Sequence, residues 1–335
     1  MQVYAAASTT ITVKNVLQIE GQELLPVEFT VNSTSTSAGQ WQGLIFTTGS
    51  APFVAVESGQ ARGSLVQHAV IRYTGRSSSP AIRIDGSPPL LSDIELDTVG
   101  TVGLAISATV ETFTATRLHV TNAQNYGVRI YNGVKCRPEP CVIEDSTIRA
   151  TSAGVYIDAL PNNGILNIRG SRFELQGVWQ YSTSGAVVNV TDSAFDGLSS
   201  GQHGVYASSS PVDVNNCTFT NYRSWGINAY QRSGFATTVV NSRFFDTSHG
   251  LYVYARSGRN FPLTVQGNLF EGISTRPFEI SVSATATQSA VIEDNHVTRC
   301  SALSLIDDVS TTTSRQLIIA NNRFEQTSGS ENSHV

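Results

Sequence analysis

The chain has 335 residues, a formal net charge of −5 and only 14% charged residues, well below the roughly 25% of an average soluble domain. All but two of its 21 basic residues are arginine, Lys14 and Lys135 being the exceptions, and no run of like charge occurs. A nucleic-acid footprint is therefore not expected. No apolar stretch of about eighteen residues exists to span a bilayer, and Met1-Gln2-Val3-Tyr4-Ala5 lacks the basic and long apolar regions of a signal peptide. Val, Ile, Thr, Ser, Asn and Gly dominate, and helix-forming Ala-Leu-Glu-Lys runs are missing. That balance points to β structure.

Residues 1–64 contain short apolar stretches, such as Pro26-Val27-Glu28-Phe29-Thr30 and Trp41-Gln42-Gly43-Leu44-Ile45-Phe46, without a clear repeat. They are expected to form irregular N-terminal coils. From residue 65 onward a pattern recurs: an apolar residue, any residue, Asn/Asp/Gly, then Ser/Asn/Cys, any residue, and a Phe or aliphatic. It reads Ile143-Glu-Asp145-Ser146-Thr-Ile148 and Val190-Thr-Asp192-Ser193-Ala-Phe195, and ends as Ile319-Ala-Asn321-Asn322-Arg-Phe324. Its last position falls at 70, 94, 118, 148, 173, 195, 219, 244, 270, 297 and 324, in steps of 22 to 30 residues. Regular repeats over 65–326 and a polar tail at 327–335 follow, in one domain of about eleven units of roughly 25 residues.

Between these markers lies a small residue followed by an alternating apolar triplet, as in Gly127-Val-Arg-Ile130, Gly154-Val-Tyr-Ile157, Gly204-Val-Tyr-Ala207 and Gly250-Leu-Tyr-Val253. Alternation over a few residues is a strand signal, and no unit has room for a helix beside its strands. Leucine-rich, ankyrin and propeller architectures are thereby set aside, and a β-sandwich seldom keeps one period over so many units. The fold expected is an all-β solenoid, a parallel β-helix. Gly, Asn and Asp at the corner suit a left-handed turn. Stacked corner amides, with the small Ser/Asn/Cys beside them, can hydrogen-bond along the axis. Phe173, Phe195, Phe219, Phe244, Phe270 and Phe324 are expected to form one internal column.

The succession Pro26–Thr30, Trp41–Phe46 and Leu65-Val-Gln-His-Ala-Val70-Ile-Arg-Tyr73-Thr-Gly75 resembles the opening of right-handed parallel β-helix regions in large surface proteins, including the bark beetle cell-junction family. Its repeat is shared with many pectate-lyase-like proteins. The resemblance implies a right-handed winding and an extracellular role in adhesion or junction assembly. It also implies that this segment is an excerpt of a larger chain, because the family's export signal, scavenger-receptor cysteines and membrane span are not found in it.

Cys136-Arg-Pro-Glu-Pro-Cys141 lies in the one unit with a 30-residue step, an inserted loop that a disulfide would close in an oxidising compartment. No histidine lies nearby to favour a metal. Cys217 and Cys300 sit three units apart, about 14 Å at ~4.8 Å per coil, too far to bridge. Of three sequons, Asn189 should face outward and Asn32 is a second candidate acceptor, whereas Asn216 takes the corner position and should point inward.

Catalytic signals are sparse. The polygalacturonase family is marked by successive Asn-Thr-Asp, Asp-Asp, Gly-His-Gly and Arg-Ile-Lys motifs; here the only Asp-Asp, Asp307-Asp308, follows both His203-Gly204 and His249-Gly250. A lyase needs a calcium-binding carboxylate cluster, but Asp145, Asp192 and Asp294 alternate with Asn and Gly at the corner and read as structural. His203 and His249 begin strands two coils apart, as loop residues or binding contacts. No metal or cofactor is expected.

Placing the residue after each Gly inward puts the next one outward. One outward column then runs Arg83, Ala105, Arg129, Tyr156, Trp179, Tyr206, Asn228, Tyr252, Glu279 and Ser304. Its neighbour runs Asp85, Ser107, Tyr131, Asp158, Tyr181, Ser208, Tyr230, Tyr254 and Ser281. Seven of the 11 tyrosines fall on these columns. Cross-strand pairing alone accounts for such a stripe; so does a binding face. The function expected is non-catalytic recognition of a protein or glycan at a cell surface, with a lyase or hydrolase of acidic polysaccharide and a passive spacer as alternatives.

Overall fold

The computed structural model describes residues 1–32, 36–54, 62–76, 79–181, 185–231, 235–255, 261–282, 288–301, 305–308 and 316–325. The polar tail expected at 327–335 lies outside the described residues. The chain divides into two compact units, Met1–Arg172 and Phe173–Val335. Among the described residues both consist of β-strands whose pairings with one another are parallel, which is the β-solenoid that the repeats predict. Among the described residues, antiparallel contacts are confined to the isolated bridges Gln22–Leu25 and Val54–Arg62.

In the first unit the winding starts upstream of the first sequence marker. Strand Gln2–Ala5 pairs with Val27–Val31, Thr10–Val13 with Gly43–Phe46, and Gln18–Glu20 with Leu65–Arg72. Periodicity does not mark these coils because their corners lack the Asn/Asp-Ser signature. The later corners carry it and adopt the left-handed backbone it predicts: Asp145 has φ 50°, Asp192 51°, Asn216 52° and Asn241 53°. The earlier corners use His68, Asp93 and Arg117, with φ of 48°, 56° and 49°. There the Arg117 guanidinium grips the Asp93 carboxylate and holds it down to about 2.

The corner side chains themselves face solvent, so the expectation of an inward Asn216 is corrected. Asn216 is exposed, and its Nδ2 donates to Asp192 Oδ1 at 2.6 Å. The next residue is the one that turns in. Ser146, Ser171, Ser193, Cys217, Ser242, Asn268 and Asn295 are buried at that position. In the second unit they form a ladder: Asn268 Oδ1 accepts from the Ser242 N–H at 2.8 Å, and Asn268 Nδ2 donates to Asn295 Oδ1 at 3.0 Å and to the Val239 carbonyl at 2.9 Å. Asn295 repeats these contacts with Asn322 and Val265. Each amide thereby satisfies backbone groups that the corner withdraws from the strand ladder.

Phe173, Phe195, Phe219, Phe244 and Phe270 stack within the second unit at centroid separations of 4.7 to 4.9 Å, with planes 9° to 13° apart. The rings of Phe195, Phe219, Phe244 and Phe270 occupy the space that a side chain would need at the glycine opening the outward strand of the preceding coil. A Cβ on Gly226 would meet the Phe244 ring at 2.7 Å and the Gly250 carbonyl at 2.8 Å. That is why these triplets of the second unit begin with glycine; in the first unit Ile148 takes the same space against Gly127. Phe324 departs from the expected column: it is 45% exposed, because Val297 interrupts the rings before it and no described strand covers its far side.

The asparagine ladder predicts a specific sensitivity. Asn268→Ala strands a buried N–H and a buried carbonyl together, and should lower unfolding stability by about 2–4 kcal/mol, read as a drop in the urea midpoint. An unchanged midpoint would mean that the ladder contributes nothing net.

Candidate functional site

The solenoid sheet that carries the Gly-Val-Tyr triplets alternates buried and half-buried residues, so every second side chain leaves the core. In the first unit, parallel register sets Arg129 beside Ala105 on one side and Tyr156 on the other. Tyr126 and Tyr156 stack at 4.5 Å. The Arg129 guanidinium lies 4.4 Å from the centre of the Tyr131 ring, 5.4 Å from Tyr126 and 5.6 Å from Tyr156. Its Nη2 donates to Asp158 Oδ2 at 3.1 Å. Burial and the Asp158 charge raise the Tyr156 phenol above its ordinary value. Arg129 is thus held by three rings and one carboxylate, which takes its Nε and Nη2 donors.

In the second unit, register carries Trp179, Tyr206, Asn228, Tyr252 and Glu279 along one line. Tyr181, Ser208, Tyr230, Tyr254 and Ser281 form a parallel one. A third line, His203, Trp225, His249 and Arg276, completes the face. The rings fall into two clusters. Around Tyr206, Tyr181 lies at 5.1 Å, His203 at 5.5 Å and Trp179 at 5.8 Å. Around Tyr252, Trp225 lies at 4.7 Å and Tyr254 at 6.4 Å, with Trp225 packed on His249 at 3.8 Å and Tyr230 on Tyr254 at 4.8 Å. Asn228 separates the clusters. Glu279, beside Tyr252, is neutralised by Arg276 at 2.7 Å.

Three polar atoms on this face are buried without a hydrogen-bond partner in the protein: Trp179 Nε1, His203 Nδ1 and Asn228 Oδ1. Burial also drives the two imidazoles toward the neutral form. His249 is lowered from its ordinary value, and His203 is lowered from 6.5 to about 4. Tyr252 is raised by burial and by the Glu279 charge.

Eight of the ten candidate residues lie on outward strands, Arg129 and Tyr156 in the first unit and Trp179, Tyr206, Asn228, Tyr230, Tyr252 and Tyr254 in the second, while Tyr131 and Asp158 immediately follow the strands of Arg129 and Tyr156. One aspect differs from expectation. Tyr181 is exposed, at 43%, but the other rings are only half-buried, because each leans on its neighbour across the coil spacing. Tyr126 and Trp225 were not anticipated. Their signal is the slot just before Gly127 and Gly226, the same slot that His203 and His249 fill before theirs. Ser304 lies outside the described residues, and the register partner of Glu279 is Leu305. The disulfide Cys136–Cys141 is formed, with Cα atoms 4.8 Å apart, and Cys217 and Cys300 are free and buried. Burial pushes the Cys217 thiol up to about 12. Asn32 is exposed, and Asn189 is half-buried between inward Val188 and Val190. No group of described residues has the arrangement of a metal site, and no described helix is long and apolar enough to cross a membrane.

The buried imidazole gives a pH signature. As pH falls below 6.5 the unfolded chain takes up a proton that folded His203 refuses until about pH 4, so stability declines through this window on acidification and is fully retained above it. At about 1.4 kcal/mol per pH unit the loss from this residue is at most ~3 kcal/mol. Urea midpoints measured between pH 7 and 4.5 should fall less steeply in His203→Phe than in the parent protein; equal slopes would contradict a buried neutral imidazole.

A comparison with curated proteins finds no match. Among solved structures the chain is similar to the crystal structure, from a selenomethionine derivative, of a GH136 lacto-N-biosidase from Eubacterium ramulus, at a TM-score of 0.31 and 10% identity. The similarity covers 96% of this chain and 62% of that one, so the chain spans less than two thirds of that protein's length. A family described as the right-handed β-helix region matches residues 102–270 and 176–333. These matches take in more than half of the sequence, and the chain belongs to that right-handed β-helix family.

Proposed function

We propose that the protein is a recognition module that binds a glycan on the aromatic face of its second unit without transforming it. The observation that carries this reading is the register of Trp179, Tyr206 and Tyr252 on one line with Asn228 between them. Rings repeated along a line offer platforms for the apolar faces of successive sugars, and Asn228, Ser208 and Ser281 supply polar contacts beside them. A dry protein hot spot has a different make-up, in which central anchors are fully packed and polar groups are pushed to the rim.

Absence of turnover is supported by the carboxylates on these faces. Asp158 is engaged by Arg129 and Glu279 by Arg276, whereas glycoside hydrolysis needs one carboxyl to give a proton and a second to attack or to activate water. The Cys136–Cys141 bridge supports a location in an oxidising compartment, at or outside the cell surface.

The double variant Tyr206→Ala/Tyr252→Ala should keep its far-UV circular dichroism and lose at least about tenfold in affinity on an immobilised neutral and acidic glycan array. Undiminished binding would remove the aromatic face from the function. New reducing ends or unsaturated uronates on incubation with the same glycans would replace recognition by catalysis, and retention on a protein array alone would replace glycan by protein.

A further inference from the structure

The three residues of the outward face that bury an unpartnered atom, Trp179, His203 and Asn228, all lie around a single ring. Tyr206 has Trp179 at 5.8 Å and His203 at 5.5 Å, Trp179 and His203 lie 5.6 Å apart, and Asn228 is the register partner of Tyr206 in the following coil. We propose that Trp179, His203 and Asn228 form a subsite for one uncharged, hydroxyl-bearing sugar ring stacked on Tyr206. This rests on the glycan reading above and adds the chemical class of the ligand and the atoms that select it.

The donor and acceptor balance makes the selection. Trp179 Nε1 only donates and Asn228 Oδ1 only accepts, so a carboxylate satisfies the first and repels the second, while an ammonium does the reverse. Hydroxyls do both. They also satisfy His203 Nδ1 in either tautomer, and that nitrogen faces the ligand without a charge of its own at neutral pH.

His249 provides the internal comparison. It occupies the same slot two coils later, yet its Nδ1 meets Ser248 Oγ at 3.2 Å. The residue preceding His203 is the exposed Gln202, which offers Nδ1 no such partner. The orphaned nitrogen is therefore a property of this position and not of the histidine column. An unsatisfied buried polar atom destabilises the free protein, and interface side chains commonly change rotamer on binding while the backbone stays in place. A small turn of the Trp179 and His203 rings brings their nitrogens to a bound sugar.

Two near-isosteric substitutions, His203→Phe and Asn228→Leu, remove the polar atoms and keep the bulk. Isothermal titration with cellohexaose, xylohexaose, chitohexaose and hexagalacturonate, paired with ligand-free melting curves, tests the proposal. The expected result is binding of at least one neutral hexaose in preference to hexagalacturonate. In each variant that affinity should weaken about five- to tenfold, while the melting temperature is unchanged or higher. A lower melting temperature in both variants would show that the atoms are already satisfied, by ordered water, and would overturn the subsite. Unchanged affinity would also overturn it and leave the glycan reading standing, and preference for hexagalacturonate would overturn the ligand class. If none of the four sugars binds the parent protein, the glycan reading itself fails and the subsite with it.

Discussion

Parallel register between successive coils is the constraint from which the rest follows. Once Val128 must lie beside Leu104 and Val155, every position of one coil is set against its equivalent in the next, and like stacks on like. Inside, this turns single residues into ladders. The phenylalanines stack nearly coplanar, and the asparagines pass hydrogen bonds from coil to coil. An ordinary core distributes such contacts over many unrelated neighbours. Here each interaction type has its own line along the axis, so a substitution is felt chiefly by the coils on either side.

The same constraint operates on the outer face with a different result. Rings there are forced beside rings whether or not their polar atoms find partners, because register and not complementarity selects the neighbour. The first unit resolves this by placing Arg129 among three tyrosines and closing it with Asp158. The second unit has no such cation between Trp179 and Tyr252 on its central line, and Asn228 stands there with one oxygen unpaired. Two faces built by one rule thus differ in how completely their polar groups are satisfied.

Much of this was legible in the sequence because the repeat reports directly on geometry. Corner Asn and Asp announce a left-handed turn, the Ser/Asn/Cys slot announces a buried polar ladder, and Gly before an alternating triplet announces a strand with the triplet's second residue turned outward. Trp179 and Tyr181 could be placed outward even across Gln180, which proves to be buried between them. The failures also have physical causes. The windings of Gln2–Ala5 on Val27–Val31 and of Thr10–Val13 on Gly43–Phe46 carry no marker because their corners lack the Asn/Asp-Ser signature, and the markers at 70 and 118 are weak because His68 and Arg117 take a left-handed backbone that their residue types seldom announce. Asn216 was turned inward by assigning the ladder to the corner residue, when a left-handed φ swings that side chain out and delivers the following one to the interior. Satisfaction of individual atoms was not legible: the string shows Gln202 before His203 and Ser248 before His249, but not that the Ser248 hydroxyl reaches its histidine nitrogen while Nδ1 of His203 is left without a partner.

Satisfaction of that kind bears on the proposed role of the stripe. If aromatic pairing across coils were the whole purpose of the face, phenylalanine in place of Trp179 and His203 would give the same stacking without a buried Nε1–H or imidazole nitrogen to leave unpaired. The inner column of the second unit makes that choice, using phenylalanine at five positions in succession, although Tyr222, also buried, keeps an unpartnered hydroxyl. On the outer face the heteroatoms are kept although the free protein leaves them without partners, a local cost that accords with a role for these side chains beyond holding coils together.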